Sequence, residues 1–383
     1  MILNDPRKSL YENKNDQYFN WKSNVEKYYK KLYELEGIPF DVKQFQEIVD
    51  PHYKYVTEQL SNLLLEEGKL LLHLQIIREY LLMSRGDFFH EFIQLSKLLL
   101  RRNNTEVSER ALNKLYEQAW YSSNLSSESP PEGITLFYQA KNEDDKVKNA
   151  IRIKYLVSWP LQVLYYGDII SAYGYIFNFL LRIKNVQINI NQLWLYHVKN
   201  FKNSSLEKNL YKLRYKCAYL LDNLQYYLQV DVIETNYSSM IQTIKNTKDF
   251  RTVVKAHEDF ITAVCREAFI FDPTQEKCIE TWKNTIFFTL NVLIDTIDQF
   301  CTNASIWTNP LNLCQNQEVD TYNNKINDLL ICLYRSSEEL HLQGSDKQIT
   351  RLISRMDLKT WLHSTTNILN NLSSSSNDSI ISN

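Results

Sequence analysis

The stretch from Leu210 to Thr235 constrains the fold more than any other part of this chain. It contains neither Gly nor Pro, and its apolar residues recur every three or four positions. An α-helix has 3.6 residues per turn, so this spacing places the apolar residues on one side of a helix. These positions are Leu213, Cys217, Leu220, Leu221, Leu224, Leu228 and Val232. The stretch therefore predicts a long helix with a buried apolar stripe.

The same helix has a second face, which is aromatic and partly polar. It carries Tyr219, Asp222, Tyr226, Gln229 and Ile233. A helix with two such faces must contact two neighbours. Two interpretations are open: the helix lies at the centre of a bundle, or the second face is kept for a partner protein.

Asp231 and Glu234 lie three residues apart near the end of this stretch. This is the spacing of a capping box, in which the two side chains satisfy free backbone N–H groups at a helix start. The spacing predicts that the long helix ends or bends there.

The rest of the chain is poor in residues that form turns. Its 383 residues include only seven Gly and eight Pro, below the average usages of about 7% and 5%. Scarce turns favour long helices over many short strands. Two β-rich runs, Ile134 to Gln139 and Ile151 to Val157, predict an antiparallel hairpin. The predicted fold class is all-α: an elongated array of helical bundles with one small β-hairpin near residues 134–157.

Several residues predict where individual helices begin and end. Asp41 is placed to cap a short helix that ends before Pro51, where the next helix begins. That next helix is predicted to run from His52 to Met83, with Gly68 tolerated inside it at a cost of about 1 kcal/mol. Asp87 and Asp249 are predicted N-caps of later helices.

Charge and composition exclude several classes of partner. The 43 basic and 45 acidic residues give a net charge of −2, and no basic stripe is present to bind nucleic acid or an acidic membrane surface. The N-terminal residues lack a signal-peptide apolar run, and no apolar stretch approaches the length of a membrane span. None of the six Cys lies in a CxxC pair, which predicts small buried hydrophobic residues in a reducing compartment. We expect a cytosolic protein whose partner is another protein.

Motifs for catalysis, cofactors or metals are missing from the sequence. Neither GxGxxG nor a P-loop is present, and no pair of His residues has helical metal-site spacing. His257 adjoins Glu258 and Asp259, but adjacent residues on a helix point in different directions, so packing is the preferred role. The sequence predicts no catalytic residues, no cofactor and no metal.

Two pairs of acidic residues are of the type that can hold a metal ion or a diphosphate. Asp144 and Asp145 lie in a charged loop between the two predicted strands, where a solvated loop is the preferred interpretation. Asp295 and Asp298 lie one turn apart on a predicted helix and have no evident partners.

Four blocks of sequence together resemble the gamma-tubulin complex components, the Grip-motif proteins. The blocks are Leu63 to Ile93, Val157 to Gln187, Leu220 to Glu234 and Asp249 to Ile261. They occur in the family's order, and the resemblance extends over about residues 38–365, corresponding to the family's C-terminal half. Most of the first Grip motif has no counterpart in this chain.

The resemblance implies a non-enzymatic helical protein that binds gamma-tubulin and other gamma-tubulin complex components. It also implies a role in microtubule nucleation and a location in the cytoplasm, at organising centres such as centrosomes and spindle poles. GTP would belong to gamma-tubulin. Two alternatives stay open: a helical vesicle-tethering rod that does not bind tubulin, and a helical enzyme using Asp144 and Asp145.

The resemblance also suggests a division of the chain into five parts. Residues 1–37 form a polar segment with one helix, and residues 38–121 are helical and lead into the second Grip domain. Residues 122–157 hold a loop and the hairpin, and residues 158–370 form the second Grip domain, which binds gamma-tubulin. Residues 371–383 are a tail too polar to fold.

The candidate partner-binding residues lie on two predicted helices. They are Tyr219, Asp222, Tyr226 and Gln229 on the long helix, and Arg251 and Lys255 on the next but one. Packing against neighbouring helices is the alternative role for the same residues.

Overall fold

The computed structural model describes residues 26–36, 39, 41–103, 107–123, 131–139, 146–200, 208–270, 281–307, 311–342 and 347–356. Most of these residues are helical, and a two-stranded sheet accompanies the helices. The predicted all-α fold with a small hairpin is therefore confirmed. The predicted terminal tail and the acidic loop residues Asp144 and Asp145 lie outside the described residues.

The helices with defined bounds follow one another along the whole described chain. They are α1 (Val42–Asn62), α2 (Leu70–Ile76), α3 (Gly86–Leu100), α4 (Glu109–Ser122), α5 (Val147–Ala150), α6 (Gly167–Asn200), α7 (Lys208–Tyr226), α8 (Thr235–Asn246), α9 (Phe250–Glu267), α10 (Thr281–Ala304), α11 (Leu313–Leu342) and α12 (Lys347–Arg355). Wider π-helical turns continue three of them. These turns are Leu63–Glu67 after α1, Ile77–Leu81 after α2 and Tyr227–Glu234 after α7.

Helix α1 begins where the sequence predicts but is longer. The Asp41 side chain caps it by accepting a hydrogen bond from the backbone N–H of Lys43. The predicted end before Pro51 is wrong, because α1 continues through this proline. A proline inside a helix loses its own hydrogen bond, and its ring crowds the carbonyl four residues earlier. Packing of α1 against α9 offsets this cost and supports one continuous helix.

The predicted uninterrupted helix from His52 to Met83 is also wrong. The chain leaves the helical path at Gly68 and Lys69, and Lys69 adopts a left-handed conformation with φ of 48°. A Cβ atom on Gly68 would lie 2.7 Å from the carbonyl oxygen of Leu64 and 3.2 Å from the Leu161 side chain. Glycine is required here because a side chain has no room.

The two later predicted caps differ in outcome. Asp249 caps α9 as predicted, accepting a 3.0 Å hydrogen bond from the backbone N–H of Thr252. Asp87 is not a cap, because the N-cap position of α3 is Arg85, two residues earlier. Asp87 lies instead in the first turn, where its negative charge still favours the helix dipole.

The predicted hairpin is confirmed. Strand β1 (Ile134–Tyr138) pairs antiparallel with β2 (Ile151–Tyr155), and Leu136 lies opposite Ile153. Asn113 of α4 fixes the position of β1, since its side chain donates to the carbonyl and accepts from the N–H of Leu136, both at 2.8 Å.

Helix α6 occupies the centre of the core. It is a single helix of 34 residues. It packs against β2, α7, α9 and α10. The helix that includes the Leu210–Thr235 stretch is therefore one of several neighbours around α6.

Candidate functional site

The apolar stripe of α7 and its continuation is buried as predicted. Each of its seven residues is at most 2% exposed. Burial also raises the pKa of the Cys217 thiol to about 12, so this cysteine is a neutral core residue. The stripe forms packing contacts with the rest of the bundle and is not available to a partner.

Part of the second face is a further contact inside the bundle. The Gln229 side-chain amide donates a 3.0 Å hydrogen bond to the carbonyl oxygen of Leu82, which follows the second π-helical turn. Ile233 is buried, and Tyr219 is half-buried. Gln229 and Ile233 thus contact the rest of the bundle, and Tyr219 stays a candidate partner-binding residue.

Asp222 and Tyr226 form the exposed edge of the second face. The Asp222 carboxylate accepts a 2.7 Å hydrogen bond from the Gln187 side chain of α6 but is otherwise open to solvent. Tyr226 is 46% exposed. Its ring lies 4.5 Å below the guanidinium carbon of Arg355, at the end of α12.

The predicted capping box at Asp231 and Glu234 is wrong. The helix neither starts nor ends there but widens into the π-helical segment Tyr227–Glu234 and continues as α8. Side chains compensate the changed backbone bonding: the Thr235 hydroxyl donates to the carbonyl of Val230, and the Asn236 amide donates to that of Val232.

Both carboxylates of the supposed capping box are engaged by arginines distant in sequence. Arg78 donates two 3.0 Å hydrogen bonds to Glu234. Arg355 donates hydrogen bonds of 2.9 and 3.2 Å to the two oxygens of Asp231. The π-helical segment is thus bound by two elements: the π-helical turn Ile77–Leu81, through Arg78, and helix α12, through Arg355.

The remaining candidates, Arg251 and Lys255, line an open groove between α8 and α9. We name it the hairpin groove because α8 and α9 form a helical hairpin. Its volume is about 560 Å³. Its floor includes the buried side chains of Met240 and Phe260, and Asp259 lies on its rim. Both basic side chains are exposed, and Lys255 has no ion-pair partner among the described residues. An apolar floor with a largely basic rim suits a partner segment that carries acidic side chains.

The structure does not bring the two candidate surfaces together. The backbone carbonyl of Glu267, at the end of α9, accepts a 2.8 Å hydrogen bond from the hydroxyl of Tyr227. Arg251 lies at the opposite end of α9, about 24 Å from Glu267 at 1.5 Å per residue. The exposed edge and the hairpin groove are separate surfaces.

His257 has the packing role that the sequence favoured. It is buried, and its Nε2 atom lies 2.9 Å from the hydroxyl of Tyr173. Its Nδ1 atom has no hydrogen-bond partner among the described residues. Burial lowers the pKa of His257 to about 4, so the imidazole is neutral near pH 7.

The prediction that Asp295 and Asp298 lack partners is wrong. Lys148 pairs closely with Asp298, and Arg182 lies 3.0 Å from Asp295. Asn189 also donates a 2.9 Å hydrogen bond to Asp298. These contacts join α5, α6 and α10, so the acidic pair is part of the packing.

The cysteines follow the prediction only in part. Cys217 and Cys301 are buried, but Cys314 and Cys332 are exposed. Within the described ranges no three His, Cys, Asp or Glu side chains are grouped as a metal site would require. None of the helices there is both long and apolar enough to cross a membrane.

Comparison with known proteins identifies the family. The sequence model of the gamma tubulin complex component C-terminal region matches residues 70–362, which include every helix from α2 to α12. The chain belongs to the gamma-tubulin complex component family. Membership in this family leaves the vesicle-tether alternative without support.

The curated relatives in this family are long proteins. Gamma-tubulin complex component 4 of mouse and of human are each 28% identical over 306 residues, covering 73% of this chain and 44% of the relative. Component 4 of Arabidopsis thaliana is 24% identical over 377 residues, covering 86% of this chain and 49% of the relative. The chain thus spans about half the length of these gamma-tubulin complex components. This chain is therefore similar to component 4, and the Leu220–Val232 run and the Trp159-Pro160 pair are the segments whose sequence also suggests that component.

Proposed function

We propose that this chain is a non-enzymatic component of the gamma-tubulin complex that binds gamma-tubulin and supports microtubule nucleation. The observation that carries the proposal is the family match over residues 70–362, which spans most of the helical body. A role in the cytoplasm at microtubule organising centres, with gamma-tubulin and other components as partners, follows from the same membership. Within this proposal, residues 158–370 are the gamma-tubulin-binding domain.

The physical role of such a component is to position its partner. Several copies of gamma-tubulin held side by side present a surface on which the first tubulin subunits are already ordered. The entropy cost of ordering these subunits is therefore met before the microtubule starts to grow. This raises the effective concentration of correctly placed subunits. This role requires rigid helices and an exposed contact surface, and it requires no bond chemistry.

The hairpin groove is the contact surface that the geometry supports best. Arg251 and Lys255 line it from one helix, and small side chains such as Ser239 and Ala263 leave room for a partner segment to approach. Its apolar floor supplies surface that a partner can bury, and the basic rim favours an acidic segment. The exposed edge at Asp222 and Tyr226 is a second proposed contact.

The experiment is a binding titration of purified gamma-tubulin against the full chain. We expect micromolar or tighter binding by the unmodified protein. The double variant Arg251→Glu and Lys255→Glu should weaken binding by about tenfold or more, since each change replaces an attractive charge with a repulsive one. Helical content should stay unchanged, because both side chains are exposed.

A matched control makes the same charge change at a distant place. Lys208→Glu with Lys212→Glu alters two exposed lysines at the start of α7, far from the groove, and should leave the affinity within about twofold. Absence of binding by folded, unmodified protein at micromolar concentration would reject the proposed function. Binding that the groove variant leaves unchanged would reject the groove only.

The exposed edge has its own variant. Tyr226→Ala combined with Asp222→Lys should weaken gamma-tubulin binding while circular dichroism shows unchanged helical content. Loss of the fold in this variant would show that the edge contributes to packing and is not a contact surface.

A further inference from the structure

Tyr226 and Asp231 together hold a guanidinium group in a defined geometry. Arg355 makes two parallel hydrogen bonds to the Asp231 carboxylate, and its guanidinium carbon lies over the Tyr226 ring. Paired hydrogen bonds to a carboxylate and stacking on an aromatic ring are the two interactions by which proteins recognise arginine. These two residues therefore have the composition and the arrangement of an arginine-binding site.

A second arginine is held by a carboxylate and a tyrosine ring a few residues further along the same chain segment. Arg78 pairs with Glu234 and lies 5.3 Å from the ring of Tyr237. Arg78 belongs to the π-helical turn Ile77–Leu81, whose other residues Ile77, Tyr80 and Leu81 are buried, whereas Arg355 is the last residue of α12. Both pairs are partly exposed: the side chains of Arg78 and Glu234 are 37% and 42% exposed, and those of Arg355 and Asp231 are 43% and 15% exposed.

In the pair of Asp231 and Arg355, the carboxylate is the more buried of the two groups. The Asp231 side chain is only 15% exposed, but that of Arg355 is 43% exposed. Helix α12 is anchored independently by the buried side chains of Leu352, Ile353 and Met356. The Arg355 side chain can therefore turn into solvent while its helix stays in place.

We propose that Tyr226 and Asp231 form a binding site for an arginine side chain of gamma-tubulin, and that Arg355 occupies this site in the unbound protein. This inference rests on the proposed function and names both the ligand chemistry of the exposed edge and its regulation. Asp222, one helical turn before Tyr226 and exposed, adds a second carboxylate toward which a cationic partner is drawn. Binding exchanges one arginine for another, so the mostly buried Asp231 carboxylate is never left without a counter-charge.

Competition by Arg355 lowers the apparent affinity, because only the fraction of molecules with an open site can bind. Removing the competitor and removing the site must then have opposite effects. Arg355→Ala should tighten gamma-tubulin binding by about threefold to tenfold, the range expected when a partly exposed ion pair competes. Asp231→Asn keeps the side-chain shape but cannot accept both guanidinium hydrogen bonds, and it should weaken binding by about tenfold.

Arg78→Ala is the control for a purely structural effect. It removes the equivalent arginine from the pair with Glu234, which is not the proposed contact, so it should lower thermal stability without tightening gamma-tubulin binding. If Arg355 only supported the fold, Arg355→Ala and Asp231→Asn would change the affinity in the same direction. That outcome, or no change in either variant, would overturn the inference.

A second readout does not require gamma-tubulin. Acetyl-arginine amide, titrated to millimolar concentration, should shift the NMR signals of the Tyr226 ring in Arg355→Ala but not in the unmodified protein or in the double variant Arg355→Ala with Asp231→Asn. Equal shifts in all three proteins, or none in Arg355→Ala, would refute the arginine site. Failure of gamma-tubulin to bind would instead count against the proposed function, and this titration would still decide the site.

Discussion

Replacement of His257 by Gln should change how the stability of the protein depends on pH. Its imidazole is buried beside Tyr165 and Tyr173, whose pKa values burial raises well above their usual value of 10. Both neighbours are therefore neutral, and the free Nδ1 atom of His257 has no acceptor among the described residues for a second proton. A charged imidazolium would find no compensating group here.

The magnitude follows from the pKa of His257 in the two states. Burial lowers it from 6.5 to about 4 in the folded protein. Between these values the unfolded chain binds more protons than the folded one, so the free energy of unfolding falls as the pH is lowered through this window. Between pH 6.5 and pH 4 the free energy of unfolding falls by about 3 kcal/mol in total. About 2 kcal/mol of this stability is already lost at pH 5.

Urea unfolding at pH 7.5 and pH 5.0 tests this expectation. Gln does not titrate and can still hydrogen-bond the Tyr173 hydroxyl, so His257→Gln should lose about 2 kcal/mol less than the unmodified protein over this interval. His90→Gln, at an exposed position, should retain the full pH dependence. An equal loss in His257→Gln and the unmodified protein would refute the reasoning, as would a ¹³C-labelled His257 signal that titrates near pH 6.5.

Two further substitutions test the packing. Gly68→Ala places a methyl group 2.7 Å from the Leu64 carbonyl oxygen and should lower the free energy of unfolding by about 1–3 kcal/mol in urea titrations; Gly86→Ala, which meets nothing within 4 Å, should be close to neutral. Asp298→Asn leaves Lys148, a side chain only 13% exposed, without its nearest counter-charge. The free energy of unfolding should fall by about 3 kcal/mol. A melting temperature within about 1 °C of that of the unmodified protein would contradict this expectation.

Periodicity predicted the elements whose cause is local. The stripe from Leu213 to Val232 is buried because its spacing matches the helical repeat, and Asp249 caps α9 because its side chain reaches the N–H of Thr252. The hairpin is likewise predictable, since β-branched and aromatic residues are the majority in both strands.

The errors have tertiary causes. Asp231 and Glu234 have capping-box spacing, but their partners Arg355 and Arg78 lie 124 and 156 residues away in sequence, and no local pattern connects them. Pro51 lies inside α1 because packing outweighs the lost hydrogen bond and the crowding of the proline ring against the preceding turn. The role of Arg355 was missed for the same reason: its position at the end of a short amphipathic helix gives no sign of the tyrosine and carboxylate that it contacts.

The π-helical segment Tyr227–Glu234 explains why one helix can have both a packed face and an exposed edge. A straight α-helix repeats its faces every 3.6 residues, so Gln229, Asp231 and Glu234 would progress steadily around it. The wider turn changes this progression and directs Gln229 toward Leu82, Glu234 toward Arg78 and Asp231 toward Arg355. Since π-helical turns cost backbone hydrogen-bond quality, they persist where side-chain contacts compensate. Two arginine forks and two side-chain bonds to carbonyls supply that compensation here, which makes the segment the joint between the N-terminal helices and α12.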